Sequence, residues 1–257
     1  MATLEVADAR LAFDIAGRGD PILFLHGIGS VRDTWAGQLA EFGTTHLAVA
    51  LDARGHGESA APAETISMEA FAADAAAVIE ALGAGPAHVC GLSMGGIIAL
   101  HLWRDRPDLV RSLILCDTWA WHPAAAAGQA ARLAAVDAAE MPQLALDRMP
   151  AVYGPDAAPE LVQRGVDIFA AKDKAAYRQS SAALWTVDLR TVAASVRVPA
   201  LVLVGHYDTV TPPALSEELQ RLIPDARLVV IPAAGHLTNE ENPAAFNAAL
   251  RDFLPTA

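Results

Sequence analysis

Cysteine is scarce in this sequence, and its scarcity excludes two classes of protein. Cys90 and Cys116 are the two cysteines of the chain. Two cysteines cannot form the disulfide framework of a small secreted domain, so we expect buried free thiols and a cytoplasmic protein. Neither cysteine lies in a C-x-x-C pair, and no cluster of His, Cys and Asp residues has metal-ligand spacing. We therefore expect no metal site.

Long apolar runs and an excess of basic residues are also missing. The longest apolar runs, LVRSLILC and VPALVLVG, are far shorter than the ~20 residues that a membrane-spanning helix needs. The first residues, MATLEVADARLAFDIAG, contain acidic side chains and lack the apolar region of a secretory signal. The 18 Lys and Arg residues against 30 Asp and Glu residues give a net charge of −12. Neither a membrane nor a nucleic acid is therefore expected as a partner.

What is present is an alternation of apolar runs and amphipathic segments. The chain has 257 residues, enough for one large domain or for one domain with an insertion. The first half of the chain predicts strands over 21–27, 46–55, 87–93 and 110–118, and helices over 68–85 and 94–107. The strands are continuously apolar rather than alternating, which is typical of a parallel sheet covered on both faces by helices. The fold class is therefore predicted to be α/β.

The alternation stops in the middle of the chain. From about residue 119 to 195 the sequence contains Ala-rich helical segments and no strand-like run. Strands return at 198–208 and 226–236, before a final helix over 243–254. A further helical layer on the sheet would fit this pattern, but the clean stop and restart favour an inserted helical cap. We predict a core formed by 1–118 and 196–257, and a cap formed by 119–195.

Three of the five tryptophans fall in the predicted cap. They are Trp119, Trp121 and Trp185, and aromatic side chains in a lid suit a substrate site that must be apolar and exclude water. They would also suit an ordinary interface between cap and core. We predict that they bind substrate.

Ser93 is the predicted nucleophile. It lies in a G-x-S-x-G pattern formed by GLSMG, directly after one predicted strand and before a predicted helix. In that context the pattern predicts a sharp turn that exposes the serine, and the helix N-terminus favours negative charge beside its oxygen. A merely structural glycine turn is the alternative.

A serine hydroxyl needs a base, and the base needs a carboxylate to orient it. The expected chain order after such a turn is Ser, acid, His. Of the eight histidines, His236 follows the last predicted strand and precedes the final helix, so it is the predicted base. Asp208 follows a strand and keeps the expected order, and it is the predicted acid. Asp117 ends the strand after that of Ser93 and competes with Asp208 for this role.

The oxyanion of an acyl-transfer intermediate needs two hydrogen-bond donors. The backbone N–H after the nucleophile, that of Met94, is the first. The second is expected from the loop after an early strand, which is FLHGIG, and this predicts the N–H of Ile28. His26 in the same loop is expected to orient the turn rather than to act as a base.

The motifs together resemble those of α/β-hydrolases along nearly the whole chain. HGIGSVRDTW, DARGHGES, GLSMGG, GHYDTVTPP and GHLTNEENPAAF are the recurrent blocks of that family, in order and spacing. In detail the chain is similar to 3-oxoadipate enol-lactonases, which share DxRGHGxS, HxCGLSxGG, LILCDT and an ending like HLTNEE. The resemblance implies the α/β-hydrolase fold with a helical cap. It also implies hydrolysis of an enol-lactone in aromatic catabolism without a cofactor.

The expected function is hydrolysis of a small-molecule lactone or ester through an acyl-enzyme. Since the enol-lactone carries a carboxylate, a cation in the pocket would help to bind it. The candidates in the cap are Arg132, Arg148, Arg164, Lys172, Lys174, Arg178 and Arg190.

Other functions remain open on the same fold. Carbon–carbon bond hydrolysis of ring-cleavage products uses the same triad, although Leu92 stands where the compared enzymes often have asparagine. General carboxylesterase or perhydrolase activity is a further alternative, and a non-enzymatic small-molecule receptor is a remote one. Dehalogenase and epoxide hydrolase chemistry need a carboxylate nucleophile and are excluded by Ser93.

Overall fold

A single sheet organises the structure, a computed structural model that describes residues 1–255. Its strands are β1 (Ala2–Val6), β2 (Ala9–Gly17), β3 (Pro21–Leu25), β4 (Leu47–Leu51), β5 (Ala87–Leu92), β6 (Val110–Cys116), β7 (Ala200–Gly205) and β8 (Arg227–Ile231). They lie in the order β1-β2-β4-β3-β5-β6-β7-β8. All pairings from β4 through β8 are parallel, and those of β1 and β2 are antiparallel. The prediction of a mostly parallel α/β sheet is confirmed.

Every residue of β3, β5 and β7 is buried, as expected for strands covered on both faces. Helices flank the sheet, and the central helix packs against β3, β5 and β6. The helices are α1 (Ala36–Phe42), α2 (Met68–Leu82), α3 (Met94–Asp105), α4 (Ala125–Ala138), α5 (Met141–Arg148), α6 (Pro159–Ala170), α7 (Lys174–Leu184), α8 (Arg190–Ala194), α9 (Pro213–Leu222), α10 (Thr238–Glu241) and α11 (Pro243–Phe253). The central one is α3, which begins directly after Ser93.

The antiparallel hairpin β1–β2 was not predicted from the sequence. Residues of β1 alternate between half-buried and exposed, because this strand lies at the edge of the sheet. Leu4 pairs with Leu11 across the hairpin. A short alternating strand gives a weaker pattern than the continuously apolar strands of the sheet centre.

All six predicted strands were too long at their carboxyl ends, and two of them bear on the site. The strand predicted over 198–208 is β7, which ends at Gly205, and that predicted over 226–236 is β8, which ends at Ile231. The chain after each strand remains buried in part because it forms loops under the cap rather than more sheet. Both loops carry predicted catalytic residues, and the parallel strands place them at the same edge of the sheet.

The strand pattern stops after β6 and resumes at β7, and the helices between them are α4 to α8. They bring side chains over the carboxyl ends of β3 and β5, where cap residues and Ser93 line a common cavity. The boundaries of the cap at residues 119 and 195 stay a prediction. Across residues 1–255, none of the helices is long and apolar enough to cross a membrane.

Candidate active site

Ser93 occupies a strained turn between β5 and α3. Its backbone has a φ of 55° and a ψ of −113°, a conformation that a non-glycine residue seldom adopts. Two neighbours must be glycines for the turn to close. A Cβ on Gly91 would lie 2.1 Å from the carbonyl oxygen of Gly95, and a Cβ on Gly95 would lie 2.1 Å from that of Leu25. The glycines therefore permit the close approach of backbones in the turn that presents Ser93 to the cavity.

The strained backbone of Ser93 is held by neighbouring strands and helix. Its N–H donates to the carbonyl oxygen of Cys116 at 2.8 Å. Its own carbonyl oxygen accepts from the N–H of Gly96 at 2.9 Å and from the hydroxyl of Thr118 at 2.8 Å. The first N–H groups of α3 point away from the helix and have no partner within it. That of Met94, the first residue of α3, lies directly beside Ser93.

Asp208 and His236 meet on the loops after β7 and β8. Nδ1 of His236 lies 2.8 Å from Oδ2 of Asp208. Oδ1 of Asp208 accepts the N–H groups of Val210 and Thr211, both at 2.8 Å. The Thr211 hydroxyl also donates to Oδ2 of Asp208 at 2.5 Å. Burial alone would raise the pKa of Asp208, but His236 and the bonds from Thr211 hold it below the usual range.

Asp117, the competing acid, makes different contacts. Its Oδ1 accepts the N–H of Gly205 at 2.9 Å, and its Oδ2 is bonded to the Thr238 hydroxyl at 2.5 Å. The carboxyl group of Asp117 therefore connects the last residue of β7 to the first residue of α10. Burial raises the pKa of Asp117 well above its usual range, and the charge of Asp208 adds to the shift. Of the two acids, Asp208 is the one bonded to His236.

The loop after β3 passes beside Ser93. A Cβ on Gly27 would lie 3.4 Å from the Cβ of Ser93. The carbonyl oxygen of Gly27 accepts from Nδ1 of His26 at 2.7 Å, and Nε2 of His26 accepts the N–H of Ala53 at 3.0 Å. His26 is therefore a neutral imidazole that fixes the loop, and burial lowers its pKa to about 4. Ile28, the second predicted oxyanion donor, follows in this loop and lines the cavity with Ser93.

A cavity lies between core and cap. Ser93 and His236 line it from the core, and Trp119 and Trp185 line it from the cap. The two indole rings are stacked, with centroids 5.3 Å apart. Their Nε1 atoms are buried and have no partner among the described residues. These side chains give the cavity an apolar wall.

Trp121, the third tryptophan predicted to bind substrate, lies apart from the other two. It lies outside the lining of the cavity. Its backbone forms an isolated bridge with Asp188, and the guanidinium of Arg190 lies 4.6 Å from the centre of its ring. The prediction grouped the three tryptophans by their segment of the chain, whereas Trp121 contacts Asp188 and Arg190 away from the cavity lining.

Two of the predicted cap cations reach the cavity, Arg132 and Arg148. The guanidinium of Arg132 lies 4.3 Å from the centre of the Trp185 ring, and Nη1 of Arg148 lies 3.4 Å from the Tyr177 hydroxyl. Within residues 1–255 neither forms an ion pair with a carboxylate. Burial lowers the pKa of Arg132, which Arg148 lowers further. The cavity therefore holds positive charge that its own side chains leave unneutralised.

Four of the other candidate cations pair with carboxylates that do not line the cavity. Ion pairs join Arg164 to Glu240, Lys174 to Glu140, Arg178 to Asp137 and Arg190 to Asp188, at 2.5, 3.2, 2.6 and 2.5 Å. Lys172 donates to the carbonyl oxygen of Ser30 at 2.6 Å.

Glu241 was missed by the sequence analysis, although it lies in the NEEN stretch five residues after His236. Its Oε1 accepts the N–H groups of Gly235 and Leu237 at 3.0 and 3.1 Å. Its Oε2 accepts the N–H of Gly154 at 2.6 Å. The residues on both sides of His236 are therefore tied to one carboxylate, which holds the histidine loop against the cap.

Exchanging Glu241 for glutamine is expected to lower both stability and turnover. The amide NH₂ replaces one acceptor oxygen, so at least one backbone N–H loses its partner. A hydrogen bond to a charged group contributes about 1.5–3 kcal/mol. We expect a loss of about 2 kcal/mol in the free energy of unfolding by urea, together with a reduced kcat.

Glu240→Gln is the matched control for Glu241→Gln. Burial raises the pKa of Glu240 to about 7, and its carboxylate binds the half-exposed Arg164. A neutral side chain is therefore better tolerated at this position. Equal losses in the two variants would show that Glu241 has no special role at the histidine loop.

Comparison with known proteins agrees with this architecture. A family model described as "alpha/beta hydrolase fold" matches residues 20–243. The 3-oxoadipate enol-lactonase 2 of Acinetobacter baylyi is 28% identical over 253 residues, which cover 96% of this chain and 94% of the relative. The structure of the enol-lactonase from Burkholderia xenovorans LB400 has a TM-score of 0.92 and 29% identity, covering 98% of this chain and 99% of its own. A thermophilic esterase from Thermogutta terrifontis, with malate bound, has a TM-score of 0.91 and 29% identity, covering 98% and 97%.

Proposed function

The chain belongs to the α/β-hydrolase fold family, and we propose that within it the protein is a serine hydrolase of lactones or carboxylic esters that bear a free carboxylate, similar in activity to 3-oxoadipate enol-lactonases. One observation carries the proposal. A single cavity holds Ser93 and His236 together with the guanidinium groups of Arg132 and Arg148. The first pair provides the chemistry of acyl transfer, and the second provides charge for an anionic substrate.

In the proposed reaction Ser93 Oγ attacks the carbonyl carbon while Nε2 of His236 accepts its proton. Asp208 accepts from Nδ1–H of His236, which fixes the tautomer and stabilises the imidazolium. The N–H groups of Ile28 and Met94 donate to the oxyanion. The acyl–oxygen bond then breaks, and His236 returns the proton to the leaving oxygen. Water repeats the sequence on the acyl-enzyme and releases the acid.

The relatives support a carboxylate-bearing substrate. Two of them are named as enol-lactonases and the esterase from T. terrifontis has malate, a dicarboxylate, bound. A 3-oxoadipate enol-lactone combines a reactive acyl–oxygen bond with a free carboxylate. The stacked Trp119 and Trp185 would cover its apolar ring, and Arg132 with Arg148 would bind its charge.

The proposed partner is thus a small anionic molecule. We place the reaction in the cytoplasm, where the buried free thiols Cys90 and Cys116 stay reduced. The mechanism uses side chains, backbone N–H groups and water.

A paired-substrate assay tests the proposal. Enol-lactones, saturated lactones and aryl esters are each assayed as the free acid and as the corresponding methyl ester, which lacks the charge. We expect higher kcat/KM for the acid of each pair, with the enol-lactone acid the best substrate. A preference for the methyl esters would contradict the carboxylate assignment, and no turnover of any compound would contradict hydrolysis itself.

Arg132→Met is expected to remove most of the preference for the charged substrate. Hydrogen bonds between charged groups contribute about 1.5–3 kcal/mol, so kcat/KM for the free acid should fall about 10- to 100-fold. The value for the methyl ester should change little, because the uncharged group gains nothing from the guanidinium. The measurement is the ratio of the two kcat/KM values.

Arg190→Met is the matched control for this substitution. Arg190 also stacks on a tryptophan of the cap, Trp121, but outside the cavity. Loss of this second stack should leave the acid-to-ester ratio at the wild-type value. If both variants lower the ratio equally, the effect belongs to the net charge of the cap and not to the cavity.

A further inference from the structure

Lys172 is a cationic side chain that the proposed reaction does not use. It follows α6 and precedes α7, and it is one of two lysines in the chain, the other being Lys174. Its Nζ donates to the carbonyl oxygen of Ser30 at 2.6 Å. Ser30 lies on the loop after β3, so this bond crosses from the cap to the core.

The charge of Lys172 has no carboxylate of its own within residues 1–255. Asp52 is the acid that favours its charged form, but Asp52 is already bonded to the backbone N–H and guanidinium of Arg32 and to the N–H of Glu58. The other titratable groups that face Lys172 are the buried histidines His26 and His56. Burial lowers the pKa of Lys172 to about 7. A cation in this place therefore costs free energy that an apolar side chain of the same length would not.

The bond to Ser30 bears on the oxyanion site through one turn. The N–H of Ser30 donates to the carbonyl oxygen of Gly27 at 3.0 Å, and the same oxygen accepts from His26. The Gly27 carbonyl and the Ile28 N–H belong to one planar peptide and point in opposite directions. An interaction that fixes the direction of the Gly27 carbonyl therefore also fixes the direction of the Ile28 N–H. Ser30 is the closing residue of this turn, and Lys172 holds Ser30.

The same end of α6 contacts the loop a second time. A Cβ on Gly29 would lie 3.3 Å from Cδ2 of Phe169, so the Phe169 ring packs against this glycine. The N–H of Lys172 donates to the carbonyl oxygen of Phe169 at 3.2 Å, which joins the two contacts into one unit. The Phe169 ring packs against the loop after β3, and the ammonium group of Lys172 donates to the Ser30 carbonyl of the same loop.

We propose that Lys172 is a positioning residue that holds the oxyanion loop from the cap, through the carbonyl of Ser30. The proposal rests on the proposed function, because the oxyanion loop has a role only in acyl transfer. If so, the position of the cap relative to the core and the direction of the Ile28 N–H are coupled. The cap then contributes to the rate of the chemical step as well as to the choice of substrate.

Phosphonylation of Ser93 tests this coupling, because the phosphonyl oxygen occupies the position of the oxyanion. With a p-nitrophenyl alkylphosphonate, a bond forms between Ser93 Oγ and phosphorus and the phosphorus–nitrophenolate bond breaks. The Ser93 proton passes to His236, and p-nitrophenolate is measured as it leaves. The full protein is compared as wild type, Lys172→Met, Lys172→Arg and Lys174→Met. Lys174→Met is the matched control, since Lys174 is two residues away and pairs with Glu140.

Loss of one complete oxyanion donor costs about 10²- to 10³-fold in kcat, so a misaimed donor should cost about 10- to 100-fold. We expect Lys172→Met to lose that factor in both the phosphonylation rate and kcat. Inhibition by malate, which reports binding of an anion without an oxyanion, should not change. The unfolding temperature should not fall, because an apolar side chain replaces a buried cation. Lys172→Arg should restore part of the rate, and Lys174→Met should match wild type.

Three results would overturn the proposal. Wild-type rates in Lys172→Met would show that the loop does not depend on the lysine. A loss accompanied by weaker malate binding and a lower unfolding temperature would show a structural role alone. If Lys172→Met does not fold, Lys172→Gln, which keeps a neutral donor, is judged by the same criteria. Failure of the wild type to be phosphonylated at Ser93 would instead refute the serine mechanism, and the proposal with it.

Discussion

Ser93→Ala is expected to reduce kcat/KM by roughly 10⁴-fold or more on every substrate that the protein hydrolyses, because no other group can form the acyl-enzyme. Alanine keeps the Cβ that the turn accommodates, and the hydrogen bonds that hold the backbone of Ser93 use its N–H and carbonyl. The fold should therefore survive the change. The measurement is single-turnover hydrolysis of p-nitrophenyl acetate and of the best substrate from the paired panel.

The Ser93→Ala variant should still bind anions at the cap. Malate inhibition constants cannot be read from an inactive enzyme, so binding is measured by calorimetry and should match wild type. Residual activity above one per cent of wild type would contradict the serine mechanism. A loss of malate binding together with activity would indicate a folding defect, and Ser93→Cys, which keeps a nucleophile, would then separate the two causes.

Asp208→Asn is expected to cost about 10⁴-fold in kcat, and Asp117→Asn less than tenfold. Asparagine at 208 can present an amide NH₂ to Nδ1 of His236 and so favours the wrong tautomer. It also removes the negative charge that stabilises the imidazolium. At position 117 the carboxyl is held by Gly205 and Thr238, and burial already opposes its ionisation. An amide of the same shape is therefore a mild change.

The comparison of the two asparagine variants decides between two acids that occupy neighbouring strand ends. The kcat values are measured with one substrate, and urea unfolding controls for stability. The reverse order of effects would assign the acid to Asp117. If both variants lose the same large factor in kcat and the same amount of stability, the cause is disrupted structure at the carboxyl ends of the strands and not the loss of one carboxylate at His236.

The sequence predicted the centre of the fold well because the signal there is local. The apolar strand before Ser93, the glycines around it and the helix after it all lie within a few residues of one another. The edge hairpin β1–β2 was missed because its strands face solvent on one side and show only a short alternation. Strand ends were overextended because polar and glycine residues that follow each strand were counted with it, such as those from His206 to Asp208 after β7.

The site was predictable where chain order constrains it and not where the cap determines it. Asp208 and His236 follow the strands that bring them together, so their positions follow from the sheet. Trp121 and Trp185 are equally aromatic and both belong to the cap, yet one stacks on an outer arginine and the other lines the cavity. Helix orientation in the cap depends on packing between helices, which the local pattern does not specify. For the same reason the sequence named Arg132 among the candidate cations of the cap but could not single it out as one that lines the cavity.

Exchange of the cap for that of a relative must meet a condition that the histidine loop sets. The N–H of His236 donates to the carbonyl oxygen of Val152 at 2.9 Å, and Glu241 accepts the N–H of Gly154. Both partners belong to the exchanged segment. A chimera with the cap of a relative must therefore supply a carbonyl and a backbone N–H at these two positions. Without them it would gain the substrate selectivity of that relative but hold His236 in a poor orientation.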